Sequence, residues 1–90
     1  MGAAMMVQPA SRTFDNPQVG NERLDYCLHW GSDCGQPAAD AFCRSQNYAR
    51  ASNFTVASDV GAQTPTRVIG DNAVCSDAGC DAIATVTCTN

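Results

Sequence analysis

Apolar and polar residues alternate with a period of two across residues 23–30. Successive side chains of a strand point to opposite faces of a sheet, so this segment predicts a strand with one apolar face in the core. Because Trp30 shares the apolar face, we expect its indole to be buried, with His29 on the opposite face. The apolar face carries four residues: Leu24, Tyr26, Leu28 and Trp30.

The clearest helical segment runs from Pro37 to Gln46. Proline suits the first turn of a helix, where its missing N–H costs nothing. We expect Asp40 and Arg44 to form an ion pair on the outer face, since they are four residues apart. The opposite face should pack on a sheet, and it consists of Ala39, Phe42, Cys43 and Gln46.

Further short strands are expected along the rest of the chain. In the first of them, Phe54 and Val56 should point inward, while Asn53 and Thr55 point outward. The sum is an α+β fold, with one α-helix packed on a small antiparallel sheet of about four strands and disulfides cross-linking the two layers. The expected strands are Ala51 to Ala57, Arg67 to Ile69, Ala73 to Cys75 and Ala82 to Cys88.

The chain divides into an N-terminal arm and one domain. Residues 1–21 show no clear period, which predicts an arm that is flexible or pinned to the surface, with a short strand around Arg12 to Phe14. Residues 22–90 form a single cysteine-rich domain. Ala3 to Val7 is too short for the apolar region of a signal peptide, so we expect a trimmed, mature form. No apolar run reaches the roughly 20 residues that a membrane span needs.

Six cysteines dominate the candidate chemistry: Cys27, Cys34, Cys43, Cys75, Cys80 and Cys88. An even number in so short a chain predicts three disulfides and a secreted or periplasmic location. Each bridge would contribute roughly 2–4 kcal/mol. Six cysteines allow about 15 pairings, among which we expect Cys43 to be joined to the sheet and Cys88 to Cys27.

Zinc is the alternative use of these cysteines. Cys75 and Cys80 have a spacing that zinc sites permit, and His29 or Cys88 could complete a ligand set. The other spacings do not suit zinc, and no second short pair exists. We therefore predict disulfides, no metal and no cofactor.

A larger pattern resembles a known group of sequences. The run from Trp30 to Cys43, the segment Thr66 to Gly70 and the later cysteines are similar to short cysteine-rich domains of exported bacterial and plant proteins. The resemblance covers about residues 24–88 and omits the arm. It implies export and disulfide bonds, and it brings no activity with it.

Charge and the scarcity of catalytic groups narrow the function. The net charge is −4 and lysine is absent, which disfavours nucleic acid and anionic membranes as partners. His29 is the only histidine, and no nucleophile, metalloprotease or phosphate-binding motif occurs. We therefore expect no catalytic residues and no enzyme.

A non-catalytic module that binds a protein or a glycan is the leading interpretation. The binding surface would lie on the loops 31–33, 58–65 and 76–79, although an exposed Trp30 would offer an aromatic platform instead. One alternative is an inhibitor of a secreted enzyme that inserts residues 57–66, and a weaker one is a small hydrolase that uses aspartates. The candidate binding residues are His29, Trp30, Ser32, Asp33, Gln63, Thr64 and Asp77.

Overall fold

The computed structural model describes residues 9–90, which form one helix and nine short strands. The part of the predicted arm that falls on residues 1–8 lies outside the described residues. In chain order the elements are β1 (Ser11–Asp15), β2 (Gln18–Val19), β3 (Glu22–Leu24), β4 (Cys27–His29), β5 (Ser32–Cys34), α1 (Gln36–Ser45), β6 (Arg50–Ala57), β7 (Thr66–Val68), β8 (Ala73–Cys75) and β9 (Ala82–Thr89).

The core lies between α1 and a three-stranded antiparallel sheet in the order β1-β9-β6. The predicted helix is confirmed to within one residue at each end, and Gly35 is its N-cap. Phe42 and Cys43 are buried on the side that was expected to face the sheet. The core cluster comprises Leu24, Ala38, Ala39, Phe42, Cys43, Tyr48, Ala51, Ile83, Val86 and Cys88.

The predicted ion pair between Asp40 and Arg44 is wrong. Asp40 Oδ1 instead accepts hydrogen bonds from Gln36 Nε2 and from the backbone amide of Ala51, both at 2.8 Å. Ala51 belongs to β6, so this bond directs the carboxylate of Asp40 to the sheet. Asp40 thus fastens the first turns of α1 to β6.

The strand expected around Arg12 to Phe14 is β1, which pairs along its whole length with β9. Phe14 packs against the core, and its ring meets the ring of Phe42 edge-on with centroids 5.2 Å apart. Pairing on both sides makes β9 the central strand of the sheet.

The prediction of a single antiparallel sheet is wrong. A second, mixed sheet has the order β2-β3-β7-β8 with β3 and β7 parallel, and β4 and β5 form a separate hairpin. The continuous strand expected over residues 23–30 is interrupted at Asp25. Its carboxylate accepts hydrogen bonds from Thr66 Oγ1 at 2.5 Å and from the amide of Cys27 at 2.9 Å. These bonds redirect the chain from one sheet into the hairpin.

Two orientations expected from alternation are also wrong. Trp30 is 56% exposed, because β4 ends at His29 and Trp30 begins the turn, where alternation no longer determines direction. Val56 is 42% exposed, because the register between β6 and β9 shifts between Thr55 and Val56. Both errors follow from extending a regular period through an irregular backbone.

The six cysteines form three disulfides, Cys27–Cys34, Cys43–Cys88 and Cys75–Cys80. The expected link from Cys43 to the sheet is confirmed, since Cys88 lies on β9. The expected link from Cys88 to Cys27 is wrong, because Cys27 lies directly opposite Cys34 in the hairpin. With all six sulfurs bonded, no thiolate remains as a zinc ligand. Within residues 9–90, no helix is both long and apolar enough to cross a bilayer.

Candidate functional site

A cleft of about 280 Å³ opens between the β4–β5 hairpin and the loop that precedes β9. The hairpin supplies one wall and the loop supplies the other, while Asp25 comes from the link between β3 and β4 and Val68 from β7. The cleft is lined by Asp25, Tyr26, Cys27, Trp30, Gly31, Val68, Cys75, Asp77, Gly79, Cys80 and Asp81.

Trp30 stands at the tip of the hairpin wall. Strands β4 and β5 are joined by the two-residue turn Trp30-Gly31, in which Gly31 adopts a φ of 74°. A residue without Cβ suits this left-handed conformation. The Cys27–Cys34 disulfide closes the other end of the hairpin. A rigid, cross-linked hairpin therefore carries the indole.

The opposite wall is a short loop closed by the Cys75–Cys80 disulfide. The carbonyl of Cys80 accepts hydrogen bonds from the amides of Val60 and Gly61, at 2.8 and 3.3 Å. The neighbouring carboxylate of Asp81 accepts the amide of Asp59 at 2.8 Å. These bonds hold the wall against the loop that follows β6.

The two walls are joined directly by the backbone. The amide of Tyr26 donates to the carbonyl of Asp81 at 2.9 Å, and the bridge between Asp25 and Ala82 continues the contact. Gly35 in turn donates to the carbonyl of Tyr26 at 2.8 Å. The relative position of the walls is thus fixed by main-chain hydrogen bonds.

Three carboxylates give the cleft an acidic lining. Asp25 is buried and already bonded to Thr66 and Cys27, while Asp81 uses Oδ1 for the amide of Asp59. Asp77 is exposed, and its carboxylate accepts no hydrogen bond from residues 9–90. Asp77 and the second oxygen of Asp81 are therefore the acceptors that remain for a ligand.

A second polar cluster lies at the base of the Trp30 turn. Asp71 Oδ1 lies 2.8 Å from His29 Nδ1, and its Oδ2 accepts the amide of Trp30 at 2.7 Å. The hydrogen bond that His29 donates to Asp71 raises the pKa of His29 above its ordinary 6.5; partial desolvation opposes this rise, and the negative charges of Asp71 and Asp33 add to it. The hydrogen bonds from His29 and from the Trp30 amide lower the pKa of Asp71.

The candidate residues from the sequence separate into three groups. Trp30 and Asp77 line the cleft. His29 is outside the lining and contacts Asp71. Ser32 and Asp33 are exposed on β5 outside the lining. Gln63 and Thr64 belong to the loop 58–65, where the amide of Gln63 and the hydroxyl of Thr64 both donate to the carbonyl of Val60. That loop supports the cleft without lining it.

The cleft also has four lining residues that no sequence pattern predicted: Asp25, Tyr26, Val68 and Asp81. Alternation assigned Asp25 to an outer face, and it assigned Tyr26 only to the core. The available signal was the position of Asp81 next to a cysteine in the final turn, where its ordinary role is to bind backbone amides. Only the pairing of distant strands brings these side chains together.

The cleft combines a broad apolar ring with oxygen acceptors and contains no cationic side chain. Such a surface can stack against a flat apolar face and accept hydrogen bonds from hydroxyl or N–H groups. No protein-family model matches this chain, and no curated protein or solved structure matches it either.

Proposed function

We propose that this protein is an exported, non-catalytic binding module that takes a sugar residue of a glycan against Trp30. The observation that carries the proposal is the 56% exposure of the only tryptophan at the edge of a cleft. A small domain gains stability by burying its largest apolar side chains, so leaving an indole in water needs a reason. A ligand that covers the ring supplies that reason.

The chemistry of the cleft favours a sugar over a peptide. The C–H face of a sugar ring matches the indole, and its hydroxyl groups match the free oxygens of Asp77 and Asp81. Protein interfaces are instead built around a cluster of large anchors. Here one exposed indole stands among carboxylates.

The size of the cleft agrees with this ligand class. Sites for drug-sized molecules typically enclose about 300–1,000 Å³, and this cleft falls just below that range with about 280 Å³. That volume suits one ring of a chain whose other residues extend into solvent. The module would therefore bind an oligosaccharide mainly through a single unit.

Three disulfides in so small a domain support export, because they persist in oxidising compartments. Export would bring the protein to the surfaces where structural glycans occur. Catalysis is the weaker alternative, since both oxygens of Asp25 are bonded within the protein. The geometry therefore favours holding a ligand over transforming it.

Titration calorimetry with cellotriose, chitotriose and maltotriose tests the proposal. The wild-type protein should bind at least one of them, and Trp30→Ala should abolish that binding while the melting temperature stays nearly unchanged. The matched control is Val74→Ala, which removes an exposed apolar side chain outside the lining. It should bind as the wild type does.

Two results would count against the proposal. Failure of the wild type to bind any sugar on a broad glycan array would exclude a glycan and leave a protein partner. Equal binding by the wild type and Trp30→Ala would remove the cleft from the interaction.

A further inference from the structure

The turn between β7 and β8 docks against the hairpin that carries Trp30. Its second residue, Gly70, donates its amide to the carbonyl of Leu28 at 2.8 Å. A Cβ at this position would collide with that carbonyl and lie 3.0 Å from the ring of His29. Glycine therefore allows an approach that no other residue permits, and the turn rests directly on the end of β4.

The same turn is closed by its own hydrogen bonds. The amides of Asp71 and Asn72 both donate to the carbonyl of Val68, at 3.2 and 2.7 Å, and Asn72 adopts a φ of 58°. On the far side, Arg67 donates to the carbonyl and side chain of Asn72 and also pairs with Glu22. Hydrogen bonds thus fix the turn from within and from Arg67.

From this turn, Asp71 reaches the hairpin with both carboxylate oxygens. One oxygen bonds the ring of His29 and the other accepts the amide of Trp30. The hairpin strands have only three residues each, and the disulfide holds the end away from Trp30. Asp71 therefore holds the end that the disulfide leaves free.

We propose that Asp71 is a positioning residue, which fixes the Trp30 turn so that the indole stays at the edge of the cleft. Asp71 does not line the cleft, and so its effect passes through Trp30. The consequence for affinity rests on the proposed sugar-binding function. The consequence for the mobility of Trp30 does not.

The partnership with His29 gives this role a signature in pH. The charged groups that face His29 are Asp71 from the turn and Asp33 from β5, and both raise its pKa. Arg67 lies across the turn and is engaged by Asn72 and Glu22. The contact between His29 and Asp71 is strongest when His29 is protonated and Asp71 is ionised. It weakens as the pH rises through the raised pKa of His29.

The test compares Asp71→Ala and Asp71→Asn with Asp15→Asn, which removes the same charge from an exposed position on β1. The first readout is the fluorescence anisotropy of Trp30 without ligand, followed from pH 5 to pH 9 (roughly two units around an ordinary histidine pKa). The second is affinity for whichever trisaccharide of the panel binds the wild type most tightly.

We expect the anisotropy of Trp30 to fall in Asp71→Ala and its dependence on pH to vanish. Affinity should fall about tenfold, which is the usual effect of losing one charge-assisted hydrogen bond. Asp71→Asn keeps an acceptor for the Trp30 amide, so it should retain most of the affinity and lose the pH dependence. Asp15→Asn should match the wild type in every readout.

Unchanged anisotropy and unchanged pH dependence in Asp71→Ala would overturn the positioning role, even if the wild type binds sugar. If the wild type binds no sugar but Trp30 loosens in Asp71→Ala, the positioning role stands and the proposed function fails. If Asp71→Ala does not fold, Asp71→Asn and His29→Gln decide through the pH dependence of the anisotropy.

Discussion

The ring of Phe14 meets the ring of Phe42 edge-on, with 5.2 Å between their centroids and planes 84° apart. Phe14 belongs to β1 and Phe42 to the buried face of α1, so this pair joins the first strand to the only helix of the described chain. Edge-to-face pairs of this kind add about 0.5–1.5 kcal/mol beyond the area that they bury.

Phe42→Ala should lower the free energy of unfolding by roughly 3–5 kcal/mol, because it empties a site that is 97% covered. Phe14→Ala should cost less, since Phe14 is only partly buried. Denaturant unfolding of both single variants and of the double variant would isolate the pair. Strict additivity would mean that the rings share the core without interacting.

The sequence predicted this region well because its physical signals are local. A proline start, an apolar face at helical spacing and an even set of cysteines each act over a few residues, and α1 and its covalent link to the sheet followed. The register of β1 with β9 and the parallel pairing of β3 with β7 depend on residues far apart in sequence. No local pattern contains that information.

The candidate site was harder to predict for the same reason. Trp30 was assigned to the core because the alternation before it was regular, whereas one glycine after it ended the strand. Asp25 faces the cleft because Thr66, more than forty positions away, captures its carboxylate. A site that forms where strands are interrupted leaves no regular pattern in the sequence.

The three disulfides should differ in their contributions to stability. The Cys43–Cys88 bridge spans 45 positions and the Cys75–Cys80 bridge spans 5. Chain entropy predicts that replacing the first pair by alanine costs roughly 4 kcal/mol and the second roughly 2 kcal/mol. Chemical unfolding of the two double variants measures the order, and a larger loss from the short loop would contradict it.

The two bridges should contribute to ligand affinity in the opposite order. Both cysteines of the short loop line the cleft, whereas Cys43 and Cys88 lie in the core. At a temperature where both variants are folded, the variant without Cys75 and Cys80 should lose affinity for the trisaccharide. The variant without the core bridge should keep it, and equal losses would indicate that the wall does not need its own bridge.

The pair of His29 and Asp71 predicts how stability changes with pH. The pKa of His29 is raised by its hydrogen bond to Asp71, so its contribution is complete below its ordinary 6.5 and is lost as the pH rises through the raised value. The pKa of Asp71 is lowered from 3.8 by His29, so its contribution fades only at acid pH. Both groups are exposed, and the effect should be small.

The measurement is the melting temperature of the wild type and of His29→Gln, recorded at pH values from below the ordinary pKa of Asp71, 3.8, to above that of His29, 6.5. The difference between them should be largest between pH 4 and 6.5, bounded by the two ordinary pKa values. It should shrink above that window. A difference that grows toward alkaline pH has the opposite sign and would refute the assignment.

Gly61 and Gly79 offer a matched pair of substitutions on the loops around the cleft. A Cβ at Gly61 would collide with the carbonyl of Asp77 and with Cβ of Cys80, and it would lie 2.7 Å from Cys80 Sγ. The atoms that it meets belong to the backbone and to a disulfide, so they cannot rotate away. At Gly79, by contrast, a Cβ meets nothing within 4 Å.

Gly61→Ala should therefore destabilise the protein by roughly 1–3 kcal/mol, the usual effect of overpacking. Gly79→Ala should stay within about 0.5 kcal/mol of the wild type. Because the collision pushes the Cys75–Cys80 loop away from its support, Gly61→Ala should also weaken trisaccharide binding in proportion to its displacement of Asp77. Paired melting curves and titrations measure both effects. A Gly61→Ala protein as stable as Gly79→Ala would mean that the two loops are not packed as tightly as their hydrogen bonds imply.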